Sequence, residues 1–161
     1  MVDNGAESGR MNSSATPQSA LARVFVDYMD RQKNICDELE AIADSLPSSM
    51  NNEACLRVSQ ALLPLLKQAH QFEESQIFPP LIIAQNSHLD LALTIGRMRA
   101  EHLSDEDYAE DLCKAILNNL KNPDRHSAEN LGWMLRGFFE SIRRHIAFDR
   151  EHILPLVELF K

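Results

Sequence analysis

The chain has little of what a β-rich, disulfide-bonded or membrane-spanning protein needs. Glycine accounts for only 5 of 161 residues and aromatic residues for 6%, and few runs are rich in β-branched residues. Three cysteines are an odd number and match no disulfide framework. No stretch approaches the roughly 18 consecutive apolar residues of a membrane-spanning helix, and the N-terminus lacks an apolar signal core. We therefore expect a protein of the reducing cytoplasm.

Positive charge is also scarce. Lys and Arg together number 16 against 24 Asp and Glu, which gives a formal net charge of −8. This balance argues against binding to nucleic acid or to an anionic membrane surface. Apolar residues make up 44% of the chain, enough for one globular domain with a sizeable core. Whether that domain forms a homo-oligomer stays open at this point.

The two ends of the predicted domain differ in composition. Residues 1–15 are rich in Gly, Ser, Asn and charged residues, a composition typical of a disordered tail. Thr16 and Pro17 then predict a helix N-cap followed by a first-turn proline. We expect the folded domain to span residues 16–161.

Within that domain, apolar residues recur at helical spacing in four segments, and no strand pattern occurs. Turn-forming residues separate the segments at 46–52, 84–88 and 121–127. Ser87 and Asp90 are spaced like a capping box at the start of the third helix. Four helices of roughly 30 residues, each about 45 Å long, predict an all-α, up-down-up-down four-helix bundle.

One polar residue interrupts the apolar stripe near the middle of each predicted helix. These residues are Gln32, His70, His102 and His145. In an antiparallel bundle, two residues on consecutive helices lie at the same height when they are equidistant from the connecting turn. The midpoints between successive members fall at residue 51, at residue 86 and between residues 123 and 124, all inside the predicted breaks. The four side chains should therefore form one inward-facing layer.

A carboxylate follows each of the three histidines by four residues, so it shares the face of its histidine. Imidazole nitrogens and carboxylate oxygens together suit iron, manganese or zinc. The predicted metal ligands are His70, Glu74, His102, Glu106, His145 and Asp149. Carboxylates from the second and fourth helices could bridge a pair of metals. Glu73 points off the predicted stripe, and we expect it to be a solvated acid or one outside the ligand set. The alternative is a metal-free core in which the histidines hydrogen-bond neighbouring carboxylates.

The segments HQFEESQIFPPL and HIAFDREHILPL, with the Glu101-His102 pair between them, resemble the hemerythrin-like, HHE cation-binding family. The resemblance covers roughly residues 20–158. It implies a four-helix bundle that holds a non-haem di-iron centre through histidines and bridging carboxylates. Members bind oxygen reversibly, sense oxygen, nitric oxide or iron, or help to repair iron–sulfur clusters.

The sequence departs from the family pattern at two positions. Gln32 stands where the first helix usually carries a histidine, and Met98 stands one turn before His102, where other members carry a second histidine. We expect Gln32 to hydrogen-bond a bound water, and a pocket for a small ligand to be lined by Phe25, Tyr28, Met98 and Phe138.

The leading functional hypothesis is a binding or sensing module without catalytic residues. In it, a di-iron site captures dioxygen or nitric oxide, and the bundle reports this to a protein partner. One alternative is a di-iron enzyme of iron–sulfur repair or peroxide removal. Another is a metal-free interaction bundle, which the residues Gln32 and Met98 make credible. Zinc or manganese in place of iron also stays open.

Overall fold

The computed structural model of the chain describes residues 19–84 and 91–159. Over these residues it is an antiparallel bundle without strands, so the predicted all-α four-helix bundle is confirmed. The tail of residues 1–15, the Thr16-Pro17 cap and the Ser87–Asp90 capping box lie outside the described residues. No helix in the described part is both long enough and apolar enough to cross a bilayer.

The bundle consists of four long helices, two of which are extended by shorter segments. In chain order the elements are α1 (Ala20–Ser45), α2 (Asn52–Phe72), a first π-helical segment (Glu73–Ile77), α3 (Phe78–Ile83), α4 (Leu91–Lys121), α5 (Arg125–Phe148), a second π-helical segment (Asp149–Ile153) and α6 (Leu154–Val157). The two π-helical segments occur at equivalent places, because each continues a long helix and each precedes a proline at the second residue of the short helix that follows.

Local sequence explains where the long helices begin. The side chains of Ser19, Asn51 and Asp124 each accept a hydrogen bond from the backbone N–H three residues further on, which satisfies one of the free donors at a helix N-terminus. The connections at residues 46–51 and 122–124 lie inside the predicted breaks. The second of these is shorter than predicted, because the Asp124 cap lets α5 begin at Arg125.

Each long helix packs against two neighbours, in the order α1–α2–α4–α5 and back to α1. Ion pairs mark the seam between α1 and α5. Arginines at seven-residue intervals on α5 and the π-helical segment that continues it pair with aspartates at seven-residue intervals on α1: Arg136 with Asp44, Arg143 with Asp37 and Arg150 with Asp30. Half-exposed pairs of this kind contribute at most about 1 kcal/mol each, but together they favour a single register of the two helices.

The core between the helices is apolar except for a group of polar residues. Its largest fully buried side chains include Phe25, Phe78 and Phe138. The buried polar or charged residues are Gln32, His70, Glu73, His102, Asp105, Asn119, His145 and Asp149. Asn119 lies near the end of α4 and its amide donates to the hydroxyl of Ser127. The other seven form the candidate site.

Candidate metal centre

The three histidines of the predicted layer meet in the core. The rings of His70 and His102 are stacked, with centroids 4.0 Å apart and planes 5° from parallel. The His145 ring lies 5.1 Å from that of His102 and 6.1 Å from that of His70. Helices α2, α4 and α5 therefore bring these side chains to the same height, as the loop midpoints predicted.

Glu73 lies between two of these histidines. Its Oε2 atom is 3.2 Å from Nε2 of His102 and 3.6 Å from Nε2 of His145. Each of the three residues offers one ligand atom, and these atoms all lie within 4.8 Å of one another. With only 1% of its surface exposed, Glu73 is not the solvated acid that we expected from the sequence.

The reason is the position of the buried stripe on α2. The buried residues of α2 and the first π-helical segment include Leu62, Leu66, His70 and Glu73, whereas Leu63 is only partly buried. Glu73 follows His70 by three residues and Glu74 follows it by four, and adjacent residues on a helix point about 100° apart. The centre of the buried face passes through Glu73, and Glu74 therefore lies towards the rim.

Glu74 and Glu106, both predicted as metal ligands, contact the outer nitrogens of the histidines. Oε1 of Glu74 lies 2.8 Å from Nδ1 of His102, and Oε1 of Glu106 lies 2.9 Å from Nδ1 of His70. An ionised carboxylate can only accept, so each imidazole donates its Nδ1 proton. The Nε2 atoms are then the nitrogens that could bind a metal, which would displace any proton on them, with the carboxylates as outer partners that fix the ring orientation.

Asp149 is fully buried, and its Oδ2 atom lies 3.3 Å from Nε2 of His145. Gln32 lies on α1 and is also buried, with 1% of its surface exposed. Neither oxygen of Asp149 and neither polar atom of the Gln32 amide has a hydrogen-bond partner. Both residues therefore face the interior with unsatisfied polar groups, as a ligand and its neighbour would.

Unpaired buried polar atoms are the test of whether a cation fits here. Within the described residues such side-chain atoms belong to the three histidines, to the two buried acids beside them and to Gln32 of α1: Gln32 Nε2 and Oε1, His70 Nε2, Glu73 Oε2, His102 Nε2, His145 Nε2, and Asp149 Oδ1 and Oδ2. The close contacts of Nε2 of His102 and His145 with the carboxylates of Glu73 and Asp149 lack hydrogen-bond geometry. Buried polar atoms are nearly always paired in native proteins. Metal coordination would satisfy seven of these eight atoms, so the residues fit a cation.

The charges of the layer are also those of a metal site. Burial lowers the pKa of His70 to about 3, and the neighbouring His102 acts in the same direction, so His70 is neutral. Burial also opposes the protonation of His102 and His145. Adjacent carboxylates outweigh it, and the pKa of each is raised. Protons on these two imidazoles balance the buried acids, and a cation would displace them.

The two buried carboxylates respond differently to this environment. For Glu73, burial raises the pKa, but the flanking His102 and His145 outweigh it and hold the pKa at about 2. For Asp149, burial and then the charge of Glu73 raise the pKa to about 6. Two buried acids that repel one another in this way are stabilised when a cation lies between them.

A cavity of about 370 Å³ opens between α4 and α5 and reaches His145. Its lining includes Met98, Glu101, Asp105, Ser141, Arg144 and His145. Of the four residues predicted to line one pocket for a small ligand, Met98 lines this cavity and the other three do not. Tyr28 instead packs against the ring of Phe72, with centroids 5.2 Å apart. Phe25 and Phe138 are fully buried in the core.

Asp105 was missed from the sequence. It is buried one turn after His102, its carboxylate accepts a hydrogen bond from Ser141, and burial raises its pKa. The buried residues of α4 alternate at spacings of three and four, and Asp105 follows Met98 and His102 in that alternation. This is the pattern of a bundle seam. A sequence prediction that followed this spacing along the whole helix would have placed Asp105 in the core and not Glu106.

Comparison with known proteins agrees with this geometry. A family model described as the hemerythrin HHE cation binding domain matches residues 23–157. No curated protein and no solved structure matches the chain. The family match spans nearly all of the bundle, and the histidines and acids of the layer fit a cation. The chain belongs to the hemerythrin family of HHE cation-binding domains.

Proposed function

We propose that this protein is a non-haem iron protein that binds dioxygen or nitric oxide at a pair of iron ions and reports the binding to a partner protein. The observation that carries the proposal is the concentration of unpaired donor atoms in one buried layer. Iron suits a donor set of imidazole nitrogens and carboxylate oxygens. The family match supports cation binding.

The number of donors favours a pair of ions. Seven of the eight unpaired atoms carry a lone pair that can bind a metal, and one octahedral ion offers only about six positions. A site that also binds a gas keeps at least one position open. Asp149, with both oxygens unpaired, could supply a donor to each of two ions.

The chain's own residues prepare the site in two ways. Glu74 and Glu106 hold His102 and His70 with their Nε2 atoms towards the interior. Burial excludes water, since no layer residue exposes more than 9% of its surface. When bound, iron supplies the reversible electron transfer on which gas binding depends.

The same burial favours a gas as the ligand. A molecule of a few atoms can reach the layer through the cavity at His145, whereas a substrate larger than this space of about 370 Å³ cannot enter it without opening the bundle. This supports a binding or sensing role over an enzyme that acts on a larger molecule.

The test is iron content with a matched pair of variants. Anaerobic reconstitution of the wild type should give more than one iron ion per chain, and its ultraviolet–visible spectrum should change on exposure to oxygen or nitric oxide. His145→Ala should lose most of the iron. His152→Ala changes an exposed histidine in the π-helical segment that continues α5, and this variant should retain the iron. Equal iron in the two variants, or a wild type without iron, would refute the proposal.

A further inference from the structure

The histidines of the layer differ in how their outer nitrogens are held. Nδ1 of His70 donates to Glu106 at 2.9 Å, and Nδ1 of His102 donates to Glu74 at 2.8 Å. Such carboxylate contacts fix the tautomer, orient the ring and make the inner nitrogen a better metal donor. The structure thus supplies an outer carboxylate to two of the three histidines within hydrogen-bond distance.

His145 has a carboxylate in the corresponding place, but further away. Oε2 of Glu101 lies 4.0 Å from Nδ1 of His145, beyond hydrogen-bond distance. The other oxygen of Glu101 lies 3.6 Å from Nε of Arg97, one turn earlier on the same helix. Glu101 therefore lies between the guanidinium of Arg97 and the imidazole of His145 and is hydrogen-bonded to neither.

The surroundings of Glu101 allow it to move. Its side chain is 52% exposed, and it lines the cavity that reaches His145 together with Arg97. A shift of about 1 Å would bring its oxygen to the 2.7–2.9 Å typical of a charge-assisted hydrogen bond. Arg97 attracts the same carboxylate through its other oxygen, so the two groups compete for Glu101.

We propose that Glu101 is the outer positioning residue of His145 and that Arg97 limits its action by drawing the carboxylate away. A Glu101 that closes on Nδ1 holds the imidazole with its Nε2 lone pair towards Asp149 and Glu73. Metal affinity then depends on the position of a half-exposed side chain at the mouth of a cavity. The proposal rests on the proposed function, since it assigns His145 Nε2 to the metal.

The experiment compares iron(II) affinity in charge-matched variants, measured anaerobically by competition with a chelator. Glu101→Gln should bind iron about 10–100-fold more weakly than the control, the usual effect of losing an outer partner. The control is Glu110→Gln on the same helix, which removes the same charge from a surface pair with Lys114. Arg97→Gln should bind iron at least as tightly as the wild type, because it releases Glu101 towards His145.

A second measurement follows the proton on Nδ1 of His145 by nuclear magnetic resonance in zinc-loaded protein. This proton should be protected from solvent exchange in the wild type and in Glu110→Gln, and lose that protection in Glu101→Gln. Equal iron affinity in Glu101→Gln and Glu110→Gln would overturn the inference. So would an Arg97→Gln variant as weak as Glu101→Gln, which would make the Arg97–Glu101 pair a structural one. A wild type that binds no metal would instead refute the proposed function, and the inference with it.

Discussion

Glu73 and Glu74 are adjacent and chemically identical, so replacing each in turn by glutamine separates a metal ligand from an outer hydrogen-bond partner. Glu73 is 1% exposed and lies between His102 and His145. The side chain of Glu74 is 39% exposed and contacts the far side of His102. Both substitutions keep the size of the side chain and remove one negative charge. Any difference between the variants therefore reflects position.

The expected magnitudes follow from these positions. Glu74→Gln can still accept a hydrogen bond from Nδ1 of His102 through its amide oxygen, but it loses the charge that makes the imidazole a better donor. The expected loss of iron(II) affinity is about 10–100-fold, or roughly 1.4–2.8 kcal/mol. Glu73→Gln exchanges a buried anionic donor for a weak neutral one. Its loss should exceed about 100-fold, the upper end of the range for an outer partner.

The assay is iron(II) affinity by chelator competition under anaerobic conditions, with the wild type alongside. Circular dichroism checks that both variants remain helical, so that unfolding is not mistaken for a lost ligand. Iron affinity should fall in the order wild type, Glu74→Gln, Glu73→Gln. The reverse order of the two variants would show that Glu74 is the ligand, as the sequence alone predicted, and that the inward position of Glu73 has no role in metal binding.

Three further predictions concern protons, the first helix and the ion pairs. Carboxylate neighbours raise the pKa of His102 and His145, so a metal must displace protons from them. Iron(II) affinity should therefore fall as the pH is lowered, by up to about tenfold per pH unit for each displaced proton, as chelator competition at several pH values would show. Gln32→His adds a nitrogen donor to the layer and should raise iron occupancy at matched free iron. Equal occupancy would show that residue 32 does not face the metal. Arg143→Ala removes the contacts to Asp37 and Glu40 and should lower the free energy of unfolding by about 1 kcal/mol, less at high salt, in denaturant titrations.

The bundle and the height of the site were predictable because both depend on spacing along the chain. Helical periodicity and turn residues located the long helices and, within the described residues, the breaks predicted at 46–52 and 121–127. Loop midpoints then placed the histidines at one level, which the ring contacts bear out. Height in an antiparallel bundle depends only on the distance from a turn. An error of a residue or two in a helix boundary therefore hardly moves it.

The rotation of each helix about its own axis was harder to predict, because it determines which of two adjacent residues faces the core. On α4 the prediction followed His102 by four residues to Glu106, whereas the buried seam follows it by three to Asp105. Both spacings lie on the same general face of a helix. Only the alternation of three and four over the whole helix separates the centre of that face from its edge. Glu106, at the edge of this face, contacts Nδ1 of His70 on α2.

The sequence does indicate that Glu73 is the buried acid, but only when the two similar segments HQFEESQIFPPL and HIAFDREHILPL are aligned by their prolines. Matching the histidines of the two similar segments pairs Glu74 with Asp149, whereas matching their prolines pairs Glu73 with Asp149. The proline alignment has a physical basis. Pro79 and Pro155 have no backbone N–H to donate, and the residue before each donates five residues back, Phe78 to Glu73 and Leu154 to Asp149. Each π-helical segment therefore begins at the buried carboxylate, and the prolines locate these acids in the core more reliably than the histidines do.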